Sequence, residues 1–244
     1  PKLASFACVG LGLSGDTERA GKVVHTYFKG NLKSHKKLKD QLASAALALG
    51  QLRYEPAVGE LSKVVKSKNY DDIIRVYAAQ ALGRIGGDKA RKALLAALSK
   101  SSNEVERAAA LALGEFDDEK VLSTLGGKSG LGSADPLASG FAAMSMARIM
   151  GSLPEDTWKK HPDALREIAM KPAKDQIKAQ YANLAQAVFS GFDARSRSFV
   201  TEGVSGTKLD ESTQSALAMA CGVGGLAGSE TSLLEVAESS ARYD

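Results

Sequence analysis

The sequence predicts an all-α fold, a right-handed α-solenoid of about six to seven tandem two-helix repeats. Three observations predict it. A string of small and aliphatic residues with a small seventh residue, most often glycine, recurs along the chain. Ala and Leu fill most apolar positions, with 44% hydrophobic but only 6% aromatic residues, which suits helices packed at close range. The 244 residues exceed an ordinary compact domain, yet no linker divides them, and repeats escape that size limit because each unit buries its apolar face only against its neighbours.

In chain order, Gly12 closes the first copy of the string. The second is Ser44-Ala-Ala-Leu-Ala-Leu-Gly-Gln-Leu52, the third Tyr77-Ala-Ala-Gln-Ala-Leu-Gly-Arg-Ile-Gly-Gly87 and the fourth Ala108-Ala-Ala-Leu-Ala-Leu-Gly-Glu-Phe116. Phe141-Ala-Ala-Met-Ser-Met-Ala-Arg-Ile-Met-Gly151 and Tyr181-Ala-Asn-Leu-Ala-Gln-Ala-Val-Phe-Ser-Gly191 follow in the same frame. The seventh place is held by Gly12, Gly50, Gly83, Gly114, Ala147, Ala187 and finally Cys221, at spacings of 38, 33, 31, 33, 40 and 34 residues. That is the period of two-helix repeats. Small residues recur at three- and four-residue steps, as at Ala78, Ala81 and Ile85, and so mark one helical face. The small seventh residue lets a neighbouring helix cross closely.

Each string is followed by a polar break such as Gly86-Gly87-Asp88 and then by a second amphipathic segment. Pro56-Ala-Val-Gly-Glu-Leu-Ser-Lys-Val-Val65 and Lys89-Ala-Arg-Lys-Ala-Leu-Leu-Ala-Ala-Leu98 are the clearest. Pro56 suits a first helical turn, where its missing N–H costs nothing, and the glycines suit the end of the preceding helix.

These strings resemble the HEAT-like repeats of the phycobilisome-lyase type, whose units read A-x-x-A-L-G-x-I/L-G followed by a second helix. The resemblance spans nearly the whole chain and is densest over residues 42–116. It implies a superhelix whose second helices line the concave surface. It is nearly silent on function, because such repeats occur in lyases, regulatory scaffolds and nucleic-acid binders alike.

Residues 1–244 therefore read as a single solenoid. It is expected to be part of a larger protein, since Pro1 already stands inside a helical pattern with Leu3, Phe6 and Ala7. Irregular insertions are expected near 29–39, 126–136 and 191–211, the second as a long flexible break. Cys8 and Cys221 sit in apolar helical patterns and read as buried thiols rather than a disulfide or metal site. No apolar run reaches the roughly 18 residues of a membrane span, so no membrane partner is expected, and the cytoplasm is the favoured compartment.

The chemistry-bearing motifs have plain structural readings. Gly10-Leu-Gly12-Leu-Ser-Gly15 and Gly222-Val-Gly224-Gly225-Leu-Ala227 match dinucleotide strings, but both fall at the C-terminal ends of helices. Carbonyls and a negative dipole there repel phosphate. Gly126-Gly127-Lys128-Ser129 is half a P-loop with Leu122 where the motif needs glycine. His25, His35 and His161 lie far apart, with no Cys or His at ligand spacing, so no metal is expected. No nucleophile has a recognisable base, no cofactor is implied, and no catalytic residue is assigned. Asp156, Trp158, Lys159, Lys160 and His161 form one mixed cluster, in which Trp158 reads as a packing residue rather than as the base-recognising aromatic of a DNA glycosylase.

Charge is uneven. Residues 1–122 hold 20 Lys and Arg against 14 Asp and Glu, and residues 123–244 hold 12 against 14. Lys29, Lys33, Lys36, Lys37 and Lys39 fall within 11 residues that contain no acid, and Lys63, Lys66 and Lys68 follow one repeat later. The expected function is a non-catalytic interaction scaffold whose groove and loops capture a protein partner or a neighbouring domain of the same polypeptide. The expected contact residues are Lys29, Lys33, Lys36, Lys37, Lys63, Lys66, Arg91 and Lys92. Nucleic-acid binding through the same basic half is the alternative, disfavoured by the lack of interleaved aromatics and of arginine. A bilin lyase-like or glycosylase-like enzyme ranks third.

Overall fold

The structure, a computed structural model, describes residues 2–99, 101–159, 161 and 163, and scattered positions from 177 to 237. The last two repeat copies, the second dinucleotide-like string and the insertion expected at 191–211 lie largely outside the described residues. The described regular structure is helical, without strands. In order the helices are α1 (Lys2–Leu13), α2 (Arg19–Asn31), α3 (Lys39–Gln51), α4 (Val58–Lys66), α5 (Asp72–Ile85), α6 (Asp88–Leu98), α7 (Asn103–Leu113), α8 (Glu119–Leu125), α9 (Pro136–Ser152) and α10 (Glu155–Trp158). They belong to two compact units, Pro1–Phe116 and Asp117–Asp244.

The first unit is a stack of two-helix repeats. First helices pack in sequence, α1 on α3, α3 on α5 and α5 on α7. The second helix α4 packs on α6, and α2, α4 and α6 each pack on the first helix that follows. The core lies between the two layers. Val24 and Phe28 of α2, Leu42 and Leu49 of α3, Leu61, Val64 and Val65 of α4, Ile74 and Leu82 of α5, and Leu94 of α6 are fully buried there. Burying each such side chain is worth about 1.5–3 kcal/mol, which offsets the entropy of ordering short helices that would not persist alone.

The recurring glycine is where the backbones come closest. A methyl group built on Gly50 would stand 2.7 Å from the Cα of Ala81, and one on Gly83 would stand 2.9 Å from the carbonyl oxygen of Ala112. Gly12 faces Ala48 in the same way, at 2.9 Å from its Cα. The seventh place of one first helix thus rests on the fifth place of the next, three times over.

A buried arginine joins the central repeats. Arg75, 3% exposed, donates from Nε and Nη2 to the carbonyl of Val65 at the end of α4 (both 3.3 Å) and from Nη2 to Ser101 Oγ (2.9 Å). Its Nη1 meets Asp72 Oδ1 at 2.6 Å. Helix starts are fixed by side-chain caps: Asp71 accepts from the amide of Ile73, and Asp118 from those of Lys120 and Val121. Each cap is worth about 1 kcal/mol. Gly86 and Gly87, at φ of 80° and 84°, turn the chain sharply from α5 into α6.

In the second unit α8 packs on α9. The segment between them, expected as a long flexible break, is instead a set of hydrogen-bonded turns. The amide of Leu131 donates to Leu125 O (2.7 Å) and that of Gly132 to Gly127 O (3.0 Å). Leu131 is buried, and its carbonyl accepts from Ser139 Oγ at 2.7 Å. Asp135 caps α9 through the amide of Ala138, and Pro136 occupies the first turn.

Two outcomes test this packing by urea denaturation. Gly50→Ala is expected to cost about 1–3 kcal/mol, because its methyl group meets backbone, whereas Gly10→Ala, with nothing within 4 Å, gains up to about 1 kcal/mol of helix propensity. Arg75→Met, which strips the Val65 carbonyl and Ser101 of their donor, is expected to cost about 1–3 kcal/mol.

Candidate functional site

The second helices of the first unit bury one face against the first helices and leave the other in solvent. On α2 the exposed positions include Lys22, Thr26 and Lys29, on α4 they are Lys63 and Lys66, and on α6 they include Lys89 and Lys92. Lysine spacings of three and seven residues keep each pair on one helical face. The acids on these helices are turned toward neighbouring cations. Glu60 of α4 lies 3.2 Å from His25 Nε2 and 3.9 Å from Lys29 Nζ, both on α2. Asp88 lies 2.8 Å from Arg91 Nη2. Burial pushes the Glu60 carboxyl up, but the hydrogen bond from His25, a backbone hydrogen bond and the charges of His25 and Lys29 outweigh it, and the carboxyl titrates below its usual value. The outer surface of this layer is therefore a field of lysine ammonium groups.

The expected contact residues fall into three groups. Lys29, Lys63, Lys66 and Lys92 share the exposed surface of the second-helix layer. Lys33 lies in a one-turn 3-10 helix, Leu32–Ser34, and Lys36 and Lys37 in the turn after it. All three are exposed. Arg91 is drawn inward, its side chain 20% exposed and paired with Asp88. Lys22 of α2 and Lys89 of α6 also belong to this surface, outside the lysine run of residues 29–39. The stretch expected as an enlarged connection is mostly regular: Lys29 stands in the last turn of α2, and Lys39 opens α3.

Beside this layer the turn before α3 and the turn before α5 enclose an open cleft of about 340 Å³. His35, Lys36, Lys39, Asn69, Tyr70 and Asp71 line it. The His35 and Tyr70 rings meet edge to face with centroids 5.0 Å apart. His35 Nδ1 is buried without a hydrogen-bond partner among the described residues. The cleft therefore sets two ammonium groups and an aromatic ring beside the amide of Asn69 and the carboxylate of Asp71, a polar setting for a hydrogen-bonding or acidic group. The aromatic that the lysine stretch lacks in sequence is supplied by Tyr70, from the next repeat.

Other motifs resolve into packing. Gly12 of the first dinucleotide-like string lies inside α1 against Ala48. Lys128 stands exposed in a turn that follows a helix. Trp158 is buried and donates its indole N–H to the carbonyl of Leu153 at 2.9 Å, so its ring is not presented to a base. Both cysteines are buried thiols, and burial pushes that of Cys8 up, away from the reactive thiolate. Among the described residues no group of three or more His, Cys, Asp or Glu could hold a metal ion, and no helix is long and apolar enough to cross a membrane.

A model of the family described as HEAT repeats matches residues 67–129, the stretch that holds α5 to α8. The match is to HEAT repeats in general and does not single out the lyase type. No curated protein matches the sequence significantly.

The Glu60 contacts predict a pH dependence. A carboxyl whose folded value lies below its unfolded one stabilises the fold fully above the unfolded value, and loses that contribution as pH falls through the folded value. The thermal-midpoint advantage of the wild-type chain over Glu60→Gln is expected to be complete above about pH 5 and to be lost progressively as pH falls below the ordinary carboxylate range. A difference independent of pH would refute the assignment.

Proposed function

We propose that this HEAT-like repeat protein is a non-catalytic scaffold that holds an acidic segment of a protein partner, or of a neighbouring domain of the same polypeptide, across its second-helix layer. HEAT repeats generally serve protein interaction and are typically non-catalytic. The observation that carries the finer reading is the charge of that layer. Lys29, Lys63, Lys66 and Lys92 project from three successive second helices, while the nearby acids Glu60 and Asp88 are engaged with His25, Lys29 and Arg91. An extended acidic chain crossing the repeats would meet one or two ammonium groups per helix.

Lys33, Lys36 and Lys37 extend the field at one edge, where the cleft beside His35 and Tyr70 is suited to an acidic side chain of the bound segment. Arg91 acts here by neutralising Asp88 rather than by direct contact. Lysine is a mobile point charge that attracts acids without reading planar groups, which favours a tolerant protein contact over base-specific recognition.

The test compares the wild-type chain with Lys63→Glu/Lys66→Glu/Lys92→Glu, whose exposed positions leave the core untouched. Cross-linked capture from nuclease-treated native lysate is run at about 0.15 M and about 0.5 M salt, where the Debye length falls from about 8 Å toward 4 Å. The wild-type chain is expected to retain proteins with acidic segments that the variant loses by tenfold or more, with capture weakened at high salt. Capture restricted to nuclease-sensitive material would transfer the surface to nucleic acid, and equal capture by both chains would remove the lysine layer from function.

A further inference from the structure

The first helices share one packing pattern, and α1 leaves half of it unfilled. In α3, α5 and α7 the fifth place of the repeat holds Ala48, Ala81 and Ala112, each beneath the seventh-place glycine of the preceding first helix. On the same helical face the second place holds Ala45, Ala78 and Ala109, all wholly buried. Three residues before the first place stand Gln41, Ile74 and Val105, also buried. These positions form the face that a first helix turns toward its predecessor.

With Gly12 at the seventh place of α1, the matching positions are Leu3, Ala7 and Gly10. All three are exposed, Leu3 at 82%. Phe6 and Leu13 flank them at 73% and 72% exposure. A methyl group built on Gly10 would meet nothing within 4 Å, although its counterparts Ala48, Ala81 and Ala112 each sit under a glycine. Residues 3–13 contain no charged side chain. Elsewhere in this unit the large exposed hydrophobics occur singly, as Val23, Ile73 and Leu111.

We propose that this face of α1 is a stacking surface for one further two-helix repeat of the chain's own pattern, joined in line ahead of α1, whose first helix rests a small seventh-place residue on Gly10. Continuity with the α1–α3, α3–α5 and α5–α7 interfaces identifies the occupant. The slot at Gly10 admits close backbone approach, and the uncharged face offers nothing to an acidic or basic segment. The α1 face of a second copy does not fit, because the seventh-place residue such a copy would have to offer, Gly12, is already buried against Ala48.

The test supplies that repeat. Residues 39–71 are duplicated directly ahead of Pro1, which sets the added Gly50 33 residues before Gly12, the spacing between Gly50 and Gly83. The extended chain is expected to gain helix equivalent to α3 and α4 and to unfold in one transition, with its midpoint raised by about 5 °C. Gly10→Gln is then compared in both chains. It is expected to leave the midpoint of the original chain unchanged or raised, and to abolish the gain in the extended one. An added repeat that contributes no helix, or a Gly10→Gln effect that is the same in both chains, overturns the proposal. So does concentration-dependent dimerisation of the original chain that Phe6→Glu abolishes, since the face would then belong to a second copy.

Discussion

The first unit depends on how closely the backbones of successive first helices approach. At Gly12, Gly50 and Gly83 there is no room for a methyl group between one helix and the alanine of the next. Dispersion and apolar burial are strongest when surfaces meet without gaps, and small side chains at the crossing let the larger Leu, Val and Ile residues on either side interlock. The low aromatic content follows, since a large ring at the crossing would hold the helices apart. Because each helix uses one face to receive its predecessor and another to meet its successor, every repeat is stabilised mainly by its neighbours.

That division of labour frees the outer side of the second helices. Since α2, α4 and α6 pack inward through Val24, Phe28, Leu61, Val64, Val65 and Leu94, their solvent positions carry no packing duty and hold lysines. The acids among them are paired, Glu60 across helices and Asp88 within one. Fold and surface charge are thus separable: the small residues set the stack, and the lysines decorate a layer that the stack holds in place.

Much of this was legible in the sequence. The seventh-place glycine recurs because its site tolerates nothing larger, so the same constraint that builds the stack leaves a periodic mark. The Ala and Leu periodicity likewise located both helices of the clearest repeats. Spatial relations between unlike residues left no such mark. Arg75 occupies a place that holds Leu42, Glu106 and Ser139 in other copies, and two of its bonds go to a backbone carbonyl that any residue at 65 would supply. The His35–Tyr70 contact joins residues 35 apart in the chain. Lys22 and Lys89 leave no mark of their own in the sequence, because they stand outside any lysine run and join the surface only through the helical periodicity that sets them beside Lys29 and Lys92. The glycines of 126–136 read as looseness, yet Gly130 is demanded by the carbonyl of Leu125 pressed against it.

Arg75 gives the stack a mechanical property. Contacts between small apolar side chains are non-directional, so they set how closely two helices approach without assigning particular hydrogen-bond partners. The guanidinium group is planar and its donors are fixed in direction. By gripping the end of α4, the first turn of α5 and the connection ahead of α7 together, it acts as a rivet through adjoining plates. Displacing any one of these segments against the others must break directional bonds as well as apolar contacts.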